Sequence, residues 1–277
     1  MILIQSSACT HESTNCIVSV PENLHILKHI FSYLNAKDLT TCLLVCKQWN
    51  QHANNEALWN DLVPETAFGP KKWNTYFGDI GETPPLPQMI HKILIAPCPI
   101  WPGKRVHETH LLTLIPKTVN AQPLTLQSLG ELVQKPLYGP ATKYKYFDLG
   151  EHQDLPAPAP HWAILSRDVI PGSRYKSYAD HQQLLKQYPS YEVPHILDAS
   201  VALFMEHAQS GTRLYSNSPN TFTRCQQKYN ANWKLAVGGF VAGGLIISYD
   251  YDDEYENCGV GISRKFVDRA VIEAGFF

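Results

Sequence analysis

Val20-Pro21-Glu22-Asn23-Leu24-His25-Ile26-Leu27-Lys28-His29-Ile30-Phe31-Ser32-Tyr33-Leu34 opens the stretch, residues 20–62, whose reading decides the fold. Pro21 stands where a first-turn proline belongs, because its missing N–H costs nothing there, and Ser19 precedes it as a cap. Leu24, Leu27, Phe31 and Leu34 recur at three, four and three residues, with Ile26 and Ile30 widening the stripe. That spacing predicts an amphipathic helix of about four turns. Asn35 and Asp38 are spaced as a cap and its third-position acid, so the chain restarts as a second helix lined by Leu39, Leu43 and Leu44. Val45-Cys46 leads into a third, and Trp49, Ala53, Leu58 and Trp59 close the core. Below roughly 40 to 50 residues a core rarely suffices without a staple or a partner. No metal pattern and no disulfide frame offers a staple, so the segment is expected to be a docking module that leans on another protein.

Pro21-Glu22, Ile30-Phe31-Ser32-Tyr33-Leu34, Lys37-Asp38-Leu39, Leu44-Val45-Cys46-Lys47-Gln48-Trp49 and Leu58-Trp59, in this order and spacing, resemble the F-box family. The family's motif usually begins Leu-Pro, and here Val20 replaces the leucine. The resemblance covers about 43 residues. It implies a three-helix domain, residues 19–63, that docks onto the Skp-type adaptor of a cullin-based ubiquitin ligase. By the same resemblance Val20, Pro21, Leu24, Ile30 and Phe31 face the adaptor. Leu27, Leu34, Leu39, Leu43, Val45, Cys46 and Trp49 complete the expected contact set. For Leu27, Leu43 and Trp49 the module's own core is the competing assignment.

The composition is that of ordinary globular domains: 277 residues, 44% hydrophobic and 17% charged, enough for one small module and one medium domain. A net charge of -2 with scattered Lys and Arg gives no footprint for nucleic acid. Seven cysteines form no CxxC pair and leave one over, which points to a reducing cytosol. No apolar run approaches the ~20 residues of a membrane span. Residues 1–18 lack the basic and apolar regions of a secretory signal, and their Ser, Thr, Asn and His content predicts a disordered tail.

Residues 63–69 are the expected joint, punctuated by Pro64 and Gly69-Pro70. Beyond it no repeat of a leucine-rich or propeller period is found. Pro87 is expected to start a short helix with Met89, Ile90, Ile93 and Leu94 on one face, ended by Pro97. His110 to Ile115 and Trp162 to Leu165 read as strands. Thr125 is placed to cap a helix carrying Leu126, Leu129, Leu132 and Val133. From Pro194, Leu197, Val201, Phe204 and Ala208 repeat at four, three and four residues, with Gly211 placed to end that helix. Leu235 to Phe240, Leu245 to Tyr251 and Val260 to Phe266 are expected to be antiparallel strands. The expected architecture is a small all-α three-helix module followed by a larger α+β domain, residues 70–277, with antiparallel strands. Trp73-Asn74-Thr75-Tyr76-Phe77-Gly78-Asp79, Trp101-Pro102-Gly103-Lys104, Pro171-Gly172-Ser173-Arg174 and Gly238-Gly239-Phe240 resemble an uncharacterised domain that follows the F-box in proteins of amoeba-associated chlamydia-like bacteria. That resemblance implies a bacterial effector working in a host cytoplasm.

Candidate chemistry is sparse. His107-Glu108-Thr109-His110 lacks the HExxH spacing that sets two imidazoles on one helical face, so no metal is expected. Asp250, Asp252, Asp253, Glu254 and Glu256 have Tyr255 where a calcium loop wants Gly, and read as a solvated turn. Gly238-Gly239 and Gly243-Gly244 lack the Lys-Ser or Lys-Thr of a phosphate cradle and are expected to permit a hairpin or a bulge. Cys225 beside Arg224 is a weak thiol-nucleophile candidate, and Trp73, Tyr76, Phe77, Trp101 and Trp162 read as aromatic core. The chain is therefore expected to be a non-enzymatic, cytoplasmic recruiting adaptor without cofactor, catalytic residue, nucleic-acid partner or membrane partner. Its partners are a Skp-type adaptor, through it a cullin, and a target protein. The competing readings are an enzyme in residues 70–277 localised by the helical module, and a decoy for the adaptor.

Overall fold

A computed structural model of the chain describes residues 27, 29–34, 36–42, 45, 47, 49, 66–87, 89–147, 149, 154–230, 233–251, 256–264 and 266. The chain divides into two compact units, Met1–Leu58 and Trp59–Phe277. In unit 1, helical backbone is described at residues 27, 29–31, 36–42, 47 and 49. The restarted helix is α1, Ala36–Cys42, with Asp38 in its first turn as the spacing predicts. The start of the first helix and the closing residues Ala53, Leu58 and Trp59 lie outside the described residues.

Unit 2 runs α2 (Pro70–Tyr76), α3 (Ile90–Ile95), α4 (Val106–Thr109), β1 (His110–Ile115), β2 (Thr118–Val119), β3 (Gln122–Pro123), α5 (Leu126–Leu132), β4 (Tyr144–Phe147) and β5 (His161–Ser166). It continues with α6 (Tyr178–Leu185), β6 (Tyr191–Glu192), α7 (Ile196–Ser210), β7 (Phe222–Lys228), β8 (Trp233–Val241), β9 (Gly244–Tyr251), β10 (Cys258–Gly259) and β11 (Ser263–Arg264). One sheet has the order β1-β5-β11-β6, a second the order β10-β7-β8-β9-β4, and β2 and β3 form a hairpin. The β1–β5 and β8–β9 pairs are antiparallel. The β4–β9 and β10–β7 pairs are parallel, so the larger sheet is mixed.

The helix α7 organises the core. Its sequence spacing predicts one apolar stripe, yet Ile196 and every residue from Asp198 to Ala208 are buried. The reason is that α7 packs on β1 and β5 of one sheet and on β7 and β8 of the other, so it has no solvent face to speak of. It starts two residues after Pro194; His195 gives no side-chain cap, and the Ile196 N–H donates instead to Gln227 Oε1 at 2.9 Å. Gly211 ends it at φ 72, a left-handed conformation that suits glycine.

All six residues of β1 are buried, the pattern of a strand covered on both faces. Its outer edge is closed by Phe68, whose N–H donates to Leu112 O at 2.9 Å and whose carbonyl accepts from Leu114 N at 3.0 Å. Phe68 is therefore tied into unit 2 by its backbone. Pro70, read as punctuation, is the first-turn proline of α2. Trp73 of that helix is fully buried and donates Nε1–H to Leu114 O at 2.8 Å. Trp162 and Phe77 are buried too, while Tyr76 and Trp101 are half-buried.

Several expectations change. Met89 is not on the face of α3 but is its left-handed N-cap, 48% exposed. Val260 to Phe266 does not extend the β8–β9 hairpin. The segment instead leaves the larger sheet at β10 and enters the smaller one as β11, between β5 and β6. Three consecutive backbone N–H groups in this crossing find buried hydroxyls as acceptors. Val260 N donates to Ser173 Oγ at 3.1 Å, Gly261 N to Thr223 Oγ1 at 2.7 Å and Ile262 N to Ser166 Oγ at 3.0 Å. Gly238-Gly239 does permit a bulge: the β8–β9 register shifts just there. Gly239 has φ 54, and a Cβ on it would lie 2.7 Å from Phe222 Cζ. Residues 252–255 of the acidic run lie outside the described residues.

The β2–β3 hairpin turns on Asn120 and Ala121, at φ 50 and φ 63. Such two-residue turns want positive φ at both positions, which Asn and Gly tolerate and Ala does not. Asn120 pins the turn by accepting from Asp79 N at 3.0 Å and donating Nδ2–H to Phe77 O at 3.0 Å. Ala121→Gly is expected to stabilise unit 2 by about 1 kcal/mol. A urea-denaturation midpoint that does not rise would show that the turn is unstrained.

Candidate functional site

Unit 1 presents some of the expected contact residues and withdraws others. Phe31 has 0% exposure and meets Trp49 edge to face, ring centroids 5.4 Å apart. Leu39, at 0%, and Cys42, at 7%, are also inside. Burial, then the charge of Asp38, pushes the Cys42 thiol up from its ordinary pKa. Ile30 is 47% and Val45 56% exposed, whereas Leu27, Leu34 and Trp49 are half-buried. Neighbouring helical residues point about 100° apart, so turning Phe31 into the core turns Ile30 out. Val20, Pro21, Leu24, Leu43 and Cys46 lie outside the described residues. Tyr33, 75% exposed with its ring edge-on to His29 at 5.0 Å, was absent from the expected set. Its spacing of three from Ile30 on the same helical segment was the available signal.

Unit 2 disperses its chemistry-bearing side chains. Cys225 is fully buried, and burial, followed by the charge of Asp198, pushes its thiol far above the ordinary range. It stays protonated, its sulfur directed at Thr223 O at 3.8 Å, which removes the nucleophile reading. Arg224 beside it is also fully buried and donates to Lys176 O at 2.5 Å, with His181 Nδ1 at 3.4 Å. His107 is exposed on α4 and His110 is 2% exposed on β1, so the two imidazoles do not converge. Among the described residues no group of three or more His, Cys, Asp or Glu could hold a metal ion.

Two ion pairs brace α7. His161 Nε2 lies 3.3 Å from Asp198 Oδ2, and its Nδ1 lies 3.0 Å from Ala159 O. Burial pulls the His161 pKa down, but the hydrogen bond and charge of Asp198, with Ala159 O, outweigh it and raise the pKa. Both ring nitrogens are engaged, so His161 joins β5 to α7 rather than serving as a general base. Arg167 donates to Glu206 at 2.9 Å in the second pair.

The described surface of unit 2 includes the following two concavities. One, about 570 Å³, lies between the β2–β3 hairpin and α5. The other, about 610 Å³, lies between α6 and β6 and is the more open. Neither is lined by His, Cys or Asp side chains.

Residues 24–65 match the F-box-like family. Over 37 residues the chain is 51% identical to F-box/SPRY domain-containing protein 1 of Aedes aegypti. That match covers 13% of this chain and 14% of the relative, so the likeness spans a small part of either protein. No solved structure matches. These matches give no support to the likeness of residues 70–266 to the bacterial domain, nor to a bacterial origin. No helix among the described residues is long and apolar enough to cross a membrane.

Proposed function

We propose that the chain is a substrate-recruiting adaptor. Unit 1 docks onto the Skp-type subunit of a cullin-based ubiquitin ligase, and unit 2 holds the protein to be modified. The F-box-like match over residues 24–65 carries this reading, since F-box domains generally bind adaptors of that type. The exposure of Ile30 and Val45 within the matched stretch supports it. The contact is made by Val20, Pro21, Leu24, Leu27, Ile30, Leu34, Leu43, Val45 and Cys46, while Phe31, Leu39 and Trp49 shape the surface from within. Catalysis is by proximity. Holding target lysines near an activated thioester raises effective concentration, and this chain supplies no reacting group.

Leu24→Asp combined with Pro21→Ala is expected to abolish co-purification with a Skp-type adaptor while the thermal unfolding of unit 2 is unchanged. Ile30→Asp is expected to weaken docking by placing an unpaired charge in the interface. Phe31→Ala acts differently, lowering the stability of unit 1 by about 3–5 kcal/mol through the lost core aromatic. Undiminished co-purification by both the double variant and Ile30→Asp would falsify the assignment. In a reconstituted ligase, ubiquitylation should need both units on one chain.

A further inference from the structure

We infer that Thr83-Pro84-Pro85-Leu86-Pro87, between α2 and α3, is a docking segment for the aromatic-lined groove of a polyproline-II-reading domain, a partner other than the adaptor. Each proline fixes its own φ near about −65°. Each also drives the residue before it, here Thr83, Pro84 and Leu86, out of the helical region and towards polyproline II. Their X–Pro bonds are trans, and residues 83–87 run without helix, strand, turn or bend. Three of the five backbone nitrogens carry no hydrogen, so the segment cannot be read by strand addition. What remains open to it is recognition of the polyproline-II form itself.

That form has three residues per turn, so side chains three apart share a ridge. Pro84 and Pro87, both half-buried, make the ridge turned to the fold. Pro84 O accepts Trp162 Nε1–H at 3.3 Å and Pro87 O accepts from Ile90 N at 3.2 Å, which holds the segment in place. The other two ridges face outward: Glu82, Thr83 and Pro85 are exposed and Leu86 is half-buried. The carbonyls of Thr83, Pro85 and Leu86 have no partner among the described residues. Met89 follows, 48% exposed at φ 57, and backbone strain in a bulky residue concentrates at binding sites.

Stiff apolar ridges that offer acceptors and almost no donors call for flat apolar rings that carry donors. Trp Nε1–H and Tyr O–H are those groups, and the bond from Trp162 to Pro84 O makes the same match on the inner ridge. Because the prolines hold the bound conformation beforehand, docking loses little chain entropy. Glu82 is the sole charged residue from Ile80 to Ile90, so the fitting groove has a neutral or basic rim. Leu155 to Pro160 also alternates proline, but the chain bends at Pro158 and Ala159 and Ala157 is buried there. That bend breaks the ridges, and the second segment serves as a control. This contact is independent of the adaptor reading.

The test titrates a panel of purified WW and SH3 domains into the full chain carrying isotope-labelled Leu and Met methyl groups, followed by NMR. A binding domain should shift the methyls of Leu86 and Met89 and leave Leu155 unmoved. Pro85→Ala, at an exposed position, should weaken that binding by about tenfold or more with an unchanged thermal midpoint. Pro156→Ala should leave the affinity unchanged. Ile30→Asp should leave it unchanged too, so failure of this segment and failure of adaptor docking are read separately. No shift with any domain of the panel, shifts confined to other methyls, or a Pro85→Ala affinity within about twofold of wild type would each overturn the inference.

Discussion

Thr223→Val together with Ser166→Ala is expected to cost unit 2 about 2–6 kcal/mol, read from the urea midpoint at constant slope. Each substitution strips the acceptor from one buried N–H of the crossing segment, Gly261 and Ile262 respectively. Thr223 and Ser166 have 0% exposure, so water cannot take their place without opening the core. Stranding a buried donor costs about 1–3 kcal/mol, against a typical domain stability of about 5–15 kcal/mol. The two losses need not add, because Ser166 Oγ also meets Tyr215 Oη at 3.2 Å while Thr223 Oγ1 donates to Arg224 O at 3.0 Å. A combined loss under about 1 kcal/mol would mean that the N–H groups find other acceptors.

Acidification from pH 6.5 to about 4 should remove roughly 3 kcal/mol of stability through His110 alone. Burial, opposed by the Val106 carbonyl and reinforced by the charge of Arg264, pulls its pKa down to about 4. Between that value and the ordinary 6.5 the unfolded chain takes up a proton that the folded chain refuses. Stability from His110 is thus fully present above pH 6.5 and drains away as the pH falls to about 4. His207, lowered by burial and then by Arg213, acts in the same direction. His161 opposes them, since its raised pKa contributes stability in acid that is lost as pH rises through the folded value. His110→Phe, which keeps the ring packing against Trp101 and Tyr191, should flatten the profile. An equally steep decline in that variant would assign the acid sensitivity to other groups.

What could be read from the chain was whatever depends on local spacing. Thr125 as a cap, Gly211 as a terminator and the six apolar-rich residues of β1 each carry their reason within a few neighbours. The strand β7 was missed because its Arg-Cys-Gln-Gln run looks solvated, and only tertiary partners such as Lys176 O make a buried Arg224 tolerable. The crossing segment was misread because β10 and β11 are two residues each, too short to show a period, and its N–H partners lie 38 to 96 residues away. In unit 1 the apolar stripe was visible, but which of Ile30 and Phe31 turns outward was not. Both fit the stripe, and the choice follows from Phe31 meeting Trp49. The hairpin concavity left no mark in the sequence, because its rim is built from ordinary surface residues brought together by the turn at Asn120 and Ala121.

The strand order β1-β5-β11-β6 also sets a schedule for biosynthesis. Because β11 is interior to that sheet, β6 has no neighbour to bond until Ser263 and Arg264 have left the ribosome exit tunnel. A nascent chain stalled or cleaved before that point could pair β1 with β5 but would leave β6 and the second edge of β5 without a partner, exposing greasy surface to chaperones and proteases.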